Sequence, residues 1–187
     1  GALAQVRPDD LATRVIDGLL DLHDLPVDEV IFGCANQAGE DNRNVARMAV
    51  LLSRLGPTVP ALTVNRLCGS GLQAINSGAH AIAVGDGDVF IGGGVESMSR
   101  APYVQLKAES AYDRGDRQSV DTTLGWRFVN PRLAERHHPY SMGETAENVA
   151  RQYNISRADQ EKLAYASQMK AAEAQREGRL KDEIVPV

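Results

Sequence analysis

Between residues 61 and 84 an apolar run, ALTVNRL, passes with no spacer into Cys68-Gly69-Ser70-Gly71 and then into a helix. That helix carries small residues on nearly every side, among them Gly69, Ser70, Gly71, Ala74, Ser77 and Gly78, with Leu72, Ile75, Ala79 and Ile82 forming an apolar stripe. A helix that is small and apolar on most faces is one that other backbone presses against, so a central, buried position is expected. An apolar strand feeding straight into such a helix confines the chain to layered α/β architectures.

The neighbouring segments keep the alternation. Residues 8–22 read as an amphipathic helix with Pro8, Asp9 and Asp10 in its first turn. Residues 28–34 (DEVIFGC) are a short apolar run between acids and a polar loop, hence a buried strand. From Asn44, the residues Val45, Met48, Ala49, Leu52 and Leu55 share one helical face, and Gly56-Pro57 ends it. After a turn at Gly85-Asp86-Gly87, residues 88–95 (DVFIGGGV) form another buried strand. Strands alternating with helices predict a parallel sheet covered on both faces. From Arg100 to about Tyr140 no period persists. Helices return at 144–153 and from Ser156, whose capping box with Asp159 opens a helix running to Gly178. The expected organisation is a βα core over 1–99 and an irregular, helical region over 100–187. The chain opens with Gly1 and closes on Ile184-Val185-Pro186-Val187, an incipient strand, so it reads as a piece of something longer.

Composition narrows the function classes. A formal net charge of −5 argues against nucleic acid as a bulk electrostatic partner. No apolar run approaches the roughly 18 residues of a membrane span, and no signal segment is evident, so a cytoplasmic protein is expected. Two cysteines are too few for a disulfide framework, and the four histidines show no ligand spacing, so no metal site is expected.

Cys68 is the candidate reactive group. A thiol at a helix N-terminus meets free N–H groups and the positive end of the helix dipole, which favour a thiolate and could hold the oxyanion formed when it attacks a carbonyl. Gly69 and Gly71 would clear space beside the sulfur. The plainer alternative is that Cys68 is a small buried hydrophobe, the usual fate of a free cysteine. Cys34, ending an apolar strand, reads as packing. Gly69, Gly71 and Ala74 also fit the dinucleotide pattern G-x-G-x-x-A, with Glu96 near the place of a ribose-binding acid. Gly92-Gly93-Gly94 reads as a site of close packing by a neighbouring element.

The run Val64-Asn65-Arg66-Leu67-Cys68-Gly69-Ser70-Gly71-Leu72-Gln73-Ala74-Ile75 resembles the nucleophile segment of the thiolases. Gly92-Gly93-Gly94-Val95-Glu96-Ser97-Met98-Ser99 is similar to their following strand and turn, and residues 142–150 (MGETAENVA) to the opening of their loop-domain helix. Ile155-Ser156-Arg157 with Asp159-Gln160, and the closing Glu183-Ile184-Val185-Pro186-Val187, match as well. Residues 37–47 and 121–131 resemble the 3-oxoadipyl-CoA thiolases in particular.

The resemblance implies a thiolase-like α/β fold, with an N-terminal βα half on a mostly parallel mixed sheet and a loop domain covering coenzyme A. It implies an acyltransferase in which Cys68 attacks a 3-oxoacyl-CoA and carries the acyl group, with CoA as co-substrate and no cofactor. Leu133 and Met142 fall where the family places apolar contacts to the pantetheine arm, although either could be a packing residue. Ser141 stands where some members carry a histidine. Arg127 is the candidate cation for the distal carboxylate of an oxoadipyl-type substrate. His137 and His138 match no catalytic position. Partners would be acyl-CoA, CoA and further copies of the chain in a homodimer or homotetramer. The family's Gly-His-Pro histidine and second cysteine would lie beyond Val187, so the chain alone should turn over poorly. Rival readings are a 3-oxoacyl synthase, a dinucleotide-binding module and a non-catalytic relative.

Overall fold

The middle strand of the main sheet, β1 (Glu29–Gly33), pairs in parallel with β2 (Ala61–Val64) on one side and β3 (Phe90–Gly94) on the other. The computed structural model in which this is seen describes residues 1–187. Two compact units divide the chain: Gly1–Thr123 with Val187, and Leu124–Pro186.

In the first unit, α1 (Pro8–Leu22) and α2 (Val45–Leu52) cover one face of the sheet and α3 (Ser70–Val84) the other. The alternation of a strand decides which side chain meets which layer. Val30 and Phe32 of β1, with Ile91 of β3, join Ala12, Ile16, Ala46, Ala49 and Val50 in one buried cluster under α1 and α2. On the other face, Gly33 and Gly92 leave room for α3 to approach: a β-carbon on Gly92 would lie 3.0 Å from the Ile75 Cα. The glycine cluster of β3 therefore serves close packing, as its sequence implied.

The ends of the elements follow from specific caps. Asn44 Oδ1 accepts from the Arg47 amide at 3.1 Å and starts α2, while its Nδ2 donates to the Ala61 carbonyl at 2.8 Å and ties that start to β2. Asp28 Oδ2 accepts from the amides of Asp88 and Val89 at 2.7 and 2.9 Å, which delays β3 until Phe90. Those two amides also hold the Asp28 carboxyl below its usual range.

Three sequence expectations are corrected. The strand expected over 61–67 ends at Val64, because Leu67 adopts φ +48° and cannot continue an extended chain. The stretch expected to start a strand at Ile184 follows a 3-10 turn (Lys181–Glu183) and is a strand of neither sheet. And α3 is not buried all round. Ser70, Ala74 and Gly78 press on the sheet, whereas Leu72, Ile75 and Ile82 are exposed, since no other element of the unit covers that face.

The irregular region contains a small antiparallel ribbon, β4 (Tyr103–Val104) with β5 (Val120–Asp121), inside the first unit. The second unit holds α4 (Pro131–Ala134), α5 (Met142–Gln152) and α6 (Arg157–Arg176). As its spacing predicts, α6 starts at Ser156, whose Oγ accepts from the Asp159 amide at 3.2 Å.

Candidate active site

Cys68 sits one residue before the N-cap of α3, in a tight turn that follows β2, and its side chain is exposed. The turn is held from both ends. Asn65 Oδ1 accepts from the Leu67 amide at 2.9 Å, and Asn65 Nδ2 donates to the Ala35 carbonyl at 2.9 Å. Ser70 Oγ donates to the Leu67 carbonyl at 2.6 Å and accepts from the Arg66 amide at 2.8 Å. The Gly69 and Ser70 amides close back onto the Arg66 and Leu67 carbonyls, each at 3.0 Å. The next two amides of α3, on Gly71 and Leu72, find no carbonyl within the chain. First-turn amides without a carbonyl partner are the groups of a helix that can donate to a developing negative charge.

The close backbone approach at this turn is made at a third glycine, Gly33. A β-carbon on Gly71 would meet only the Gly93 carbonyl oxygen, at 4.0 Å, and one on Gly69 the Arg66 oxygen, at 3.4 Å. On Gly33, however, it would come within 2.4 Å of the Ser70 carbonyl carbon. The N-terminus of α3 rests directly on the end of β1.

Behind the turn, Glu96 grips the chain leaving β1. Its carboxylate accepts from the Ala35 amide at 2.8 Å and the Asn36 amide at 3.2 Å. This inward use of Glu96 removes it from the ribose-binding role of the dinucleotide pattern. Cys34 is buried, with Sγ 3.6 Å from Asp41 Oδ2 and 4.0 Å from Glu96 Oε1. Burial first, and then the two carboxylates, push this thiol up to about 12. It stays protonated and acts as a donor, which is more than the packing role expected of it. The ligand atoms of Cys34, Asp41 and Glu96 lie within 4.8 Å of one another, the spacing of a possible metal set. Both carboxylates, though, already accept from backbone amides, Asp41 Oδ1 from Gly39 at 3.0 Å and Glu96 Oε2 from Ala35 at 2.8 Å. The cluster closes a loop.

A second anchor lies further along the same loop. Arg100 donates twice to Glu40, at 2.6 Å through Nε and 2.6 Å through Nη2, and once to the Ala4 carbonyl at 3.2 Å. Arg7 reaches Glu40 at 3.1 Å while clasping Asp9. Thr122, buried, donates to the Pro102 carbonyl at 2.7 Å and accepts from Asn36 Nδ2 at 3.2 Å. None of these partners was singled out from the sequence.

Of the remaining expected site residues, all four belong to the second unit. Leu133 is on α4 and just over one-third exposed. Met142 opens α5 and is exposed. Ser141 is the N-cap of α5: its Oγ accepts from the Glu144 amide at 3.2 Å and donates to Glu144 Oε2 at 2.8 Å, so the hydroxyl is engaged in a capping box. Arg127 stands between Trp126 and Phe128, both exposed. Trp126 Nε1 donates to the Tyr140 carbonyl at 3.1 Å, which ties this segment to the approach to α5.

An exposed cysteine thus stands at the head of a helix laid on a parallel sheet, and the chain was compared with known proteins on that footing. Residues 1–187 match the family described as thiolase, N-terminal domain, and the chain belongs to that family. A β-ketoadipyl-CoA thiolase of Pseudomonas putida is 55% identical over the whole chain, which covers 48% of that protein. A 3-oxoadipyl-CoA/3-oxo-5,6-dehydrosuberyl-CoA thiolase of Escherichia coli K12 is 56% identical, with 47% covered. The crystal structure of the Bacillus anthracis acetyl-CoA acetyltransferase superposes with a TM-score of 0.86 at 38% identity, over all of this chain and 46% of that one. The chain thus spans about half the length of the relatives it matches, and the thiolase-like α/β fold expected from its motifs is the fold it has.

Proposed function

We propose that Cys68 carries the acyl group in a CoA-dependent thiolytic cleavage of a 3-oxoacyl-CoA. The thiolate attacks the 3-keto carbon, and the C2–C3 bond breaks with its electron pair leaving on C2. Protonation of C2 gives acetyl-CoA, and the shortened acyl group passes from sulfur to the thiol of a second CoA. The observation that carries this reading is the exposed Cys68 in the turn that opens α3, a helix whose Gly71 and Leu72 amides have no carbonyl partner.

The substrate proposed is 3-oxoadipyl-CoA, on the strength of two relatives at 55% and 56% identity, both thiolases of that acyl-CoA by name. Within this reading residues 1–99 are the core and 100–187 the CoA-covering region. Leu133, Ser141 and Met142 lie against the pantetheine arm, and Arg127 meets the distal carboxylate. The histidine and second cysteine that complete the family's chemistry have no counterpart among residues 1–187, so this chain by itself is proposed to accept an acyl group without sustained turnover. A cytoplasmic homodimer or homotetramer using no cofactor, no nucleic acid and no membrane completes the proposal. In support, the net charge is −5 and no helix is long and apolar enough to cross a membrane.

Intact-mass measurement after mixing with acetyl-CoA tests the central claim. An acetyl adduct mapping to Cys68, absent in Cys68→Ser, is the expected result. An unmodified thiol together with NADH binding would transfer the assignment to the dinucleotide reading.

A further inference from the structure

The backbone at Leu67 lies in the left-handed region, φ +48°, immediately before the reactive cysteine. For a residue with a branched side chain this conformation costs roughly 1–2 kcal/mol, and it persists only where neighbours over-determine it. Here they do. The Leu67 amide is held by Asn65 Oδ1, and the Leu67 carbonyl by both the hydroxyl and the amide of Ser70. Neither helper is a helix cap. Gly69 is the N-cap of α3 and makes no side-chain cap, while Ser70, only 5% exposed, directs its hydroxyl backwards into the turn. Asn65 is itself fastened to the Ala35 carbonyl, at the end of the strand on which the α3 N-terminus rests. Cys68 therefore takes its position from its neighbours.

We propose that Asn65 and Ser70 are positioning residues for the nucleophile: by locking Leu67 left-handed they aim the Cys68 sulfur at the site served by the Gly71 and Leu72 amides. The inference rests on the reading of Cys68 as the acyl carrier and adds what fixes its geometry. Loss of the lock leaves an exposed thiol that still reacts with a small electrophile but misses an acyl carbon that must simultaneously meet the oxyanion donors. Misplacement on the order of 1 Å is enough to slow an aligned transfer by up to about 100-fold.

The test compares two reactions of the same sulfur, acetyl transfer from acetyl-CoA and alkylation by iodoacetamide, each mapped to residue 68 by mass, in wild type, Ser70→Ala, Asn65→Ala and the double variant Ser70→Ala/Leu67→Gly. Acetylation in the single variants is expected to fall by about tenfold or more, with alkylation largely retained. Leu67→Gly is expected to restore much of the loss in the Ser70→Ala background, because glycine occupies the left-handed region without penalty. A merely destabilised fold would not be rescued in this way, and thermal melts of each variant monitor it. Acetylation at the wild-type rate in both single variants overturns the inference alone, as does a loss that Leu67→Gly does not relieve. A wild-type chain that is alkylated at Cys68 but takes no acetyl group overturns the functional reading and this inference with it.

Discussion

Gly33 and Ser70 meet backbone to backbone: a β-carbon on Gly33 would stand 2.4 Å from the Ser70 carbonyl carbon and 2.5 Å from the Gly71 nitrogen. Neither of those atoms is the far end of a flexible side chain, so an alanine there must displace α3 from the sheet. Gly33→Ala is expected to destabilise the chain by about 3 kcal/mol, at the upper end of overpacking effects. Because the displaced segment bears the Gly71 and Leu72 amides, acetylation of Cys68 should fall as well. Urea unfolding read beside the mass assay checks both; a midpoint within error of wild type would mean that the contact is easily relaxed.

A pH dependence follows from Cys34. Its thiol is raised from 9.0 in the unfolded chain to about 12 in the fold, chiefly by burial. The folded state therefore holds this proton more tightly, and the resulting stability is complete below pH 9.0 and disappears as pH climbs toward about 12. In that window one proton contributes a slope of about 1.4 kcal/mol per pH unit. The difference between wild-type and Cys34→Ala unfolding curves across an alkaline pH series isolates it. A constant difference across the series would show that Cys34 gives up its proton equally readily in both states.

The helices were legible in the sequence because their ends carry local chemistry: Pro8 at the start of α1, Asn44 before α2, Ser156 with Asp159 before α6. The parallel sheet followed from apolar runs separated by those helices. What surrounds the active turn was less legible, for two physical reasons. A left-handed leucine leaves no mark in composition or period, so β2 was expected to run on to Leu67. And the groups behind the turn come from far along the chain, as when Glu96 reaches Cys34 across 62 residues. Cys34 therefore looked like simple packing. The outward face of α3 was expected to be buried because Leu72, Ile75 and Ile82 are apolar, a property that shows what a surface prefers and not what covers it.

The Arg100–Glu40 pair should contribute measurably to holding the 36–44 loop. Its two bonds are short and both side chains are about a quarter exposed, so solvent screens them only in part. Arg100 draws the Glu40 carboxyl below its ordinary range. The stability this supplies is present above that range and lost as pH falls through the lowered value. Glu40→Gln keeps the shape and removes the charge, and is expected to cost about 1 kcal/mol near neutral pH, with a smaller effect in acid and in high salt. Chemical denaturation at two pH values and two salt concentrations reads this directly. An equal loss under all four conditions would assign the effect to shape.

The two sides of α3 should respond oppositely to substitution. Ala74 is fully buried against the sheet, and Ala74→Leu must force either the helix or β1 and β3 to move, costing about 1–3 kcal/mol. Leu72 and Ile82 are 65% and 47% exposed, so replacing both by glutamine removes little buried area and should shift stability by no more than about 0.5 kcal/mol. The same double substitution should reduce self-association, since contiguous exposed apolar side chains favour protein contacts. Unfolding midpoints give the first comparison and sedimentation velocity the second. If the glutamine variant lost as much stability as Ala74→Leu, the outward stripe would be packed against something in this chain, and the layer order of α1 and α2, sheet, then α3 would have to be redrawn.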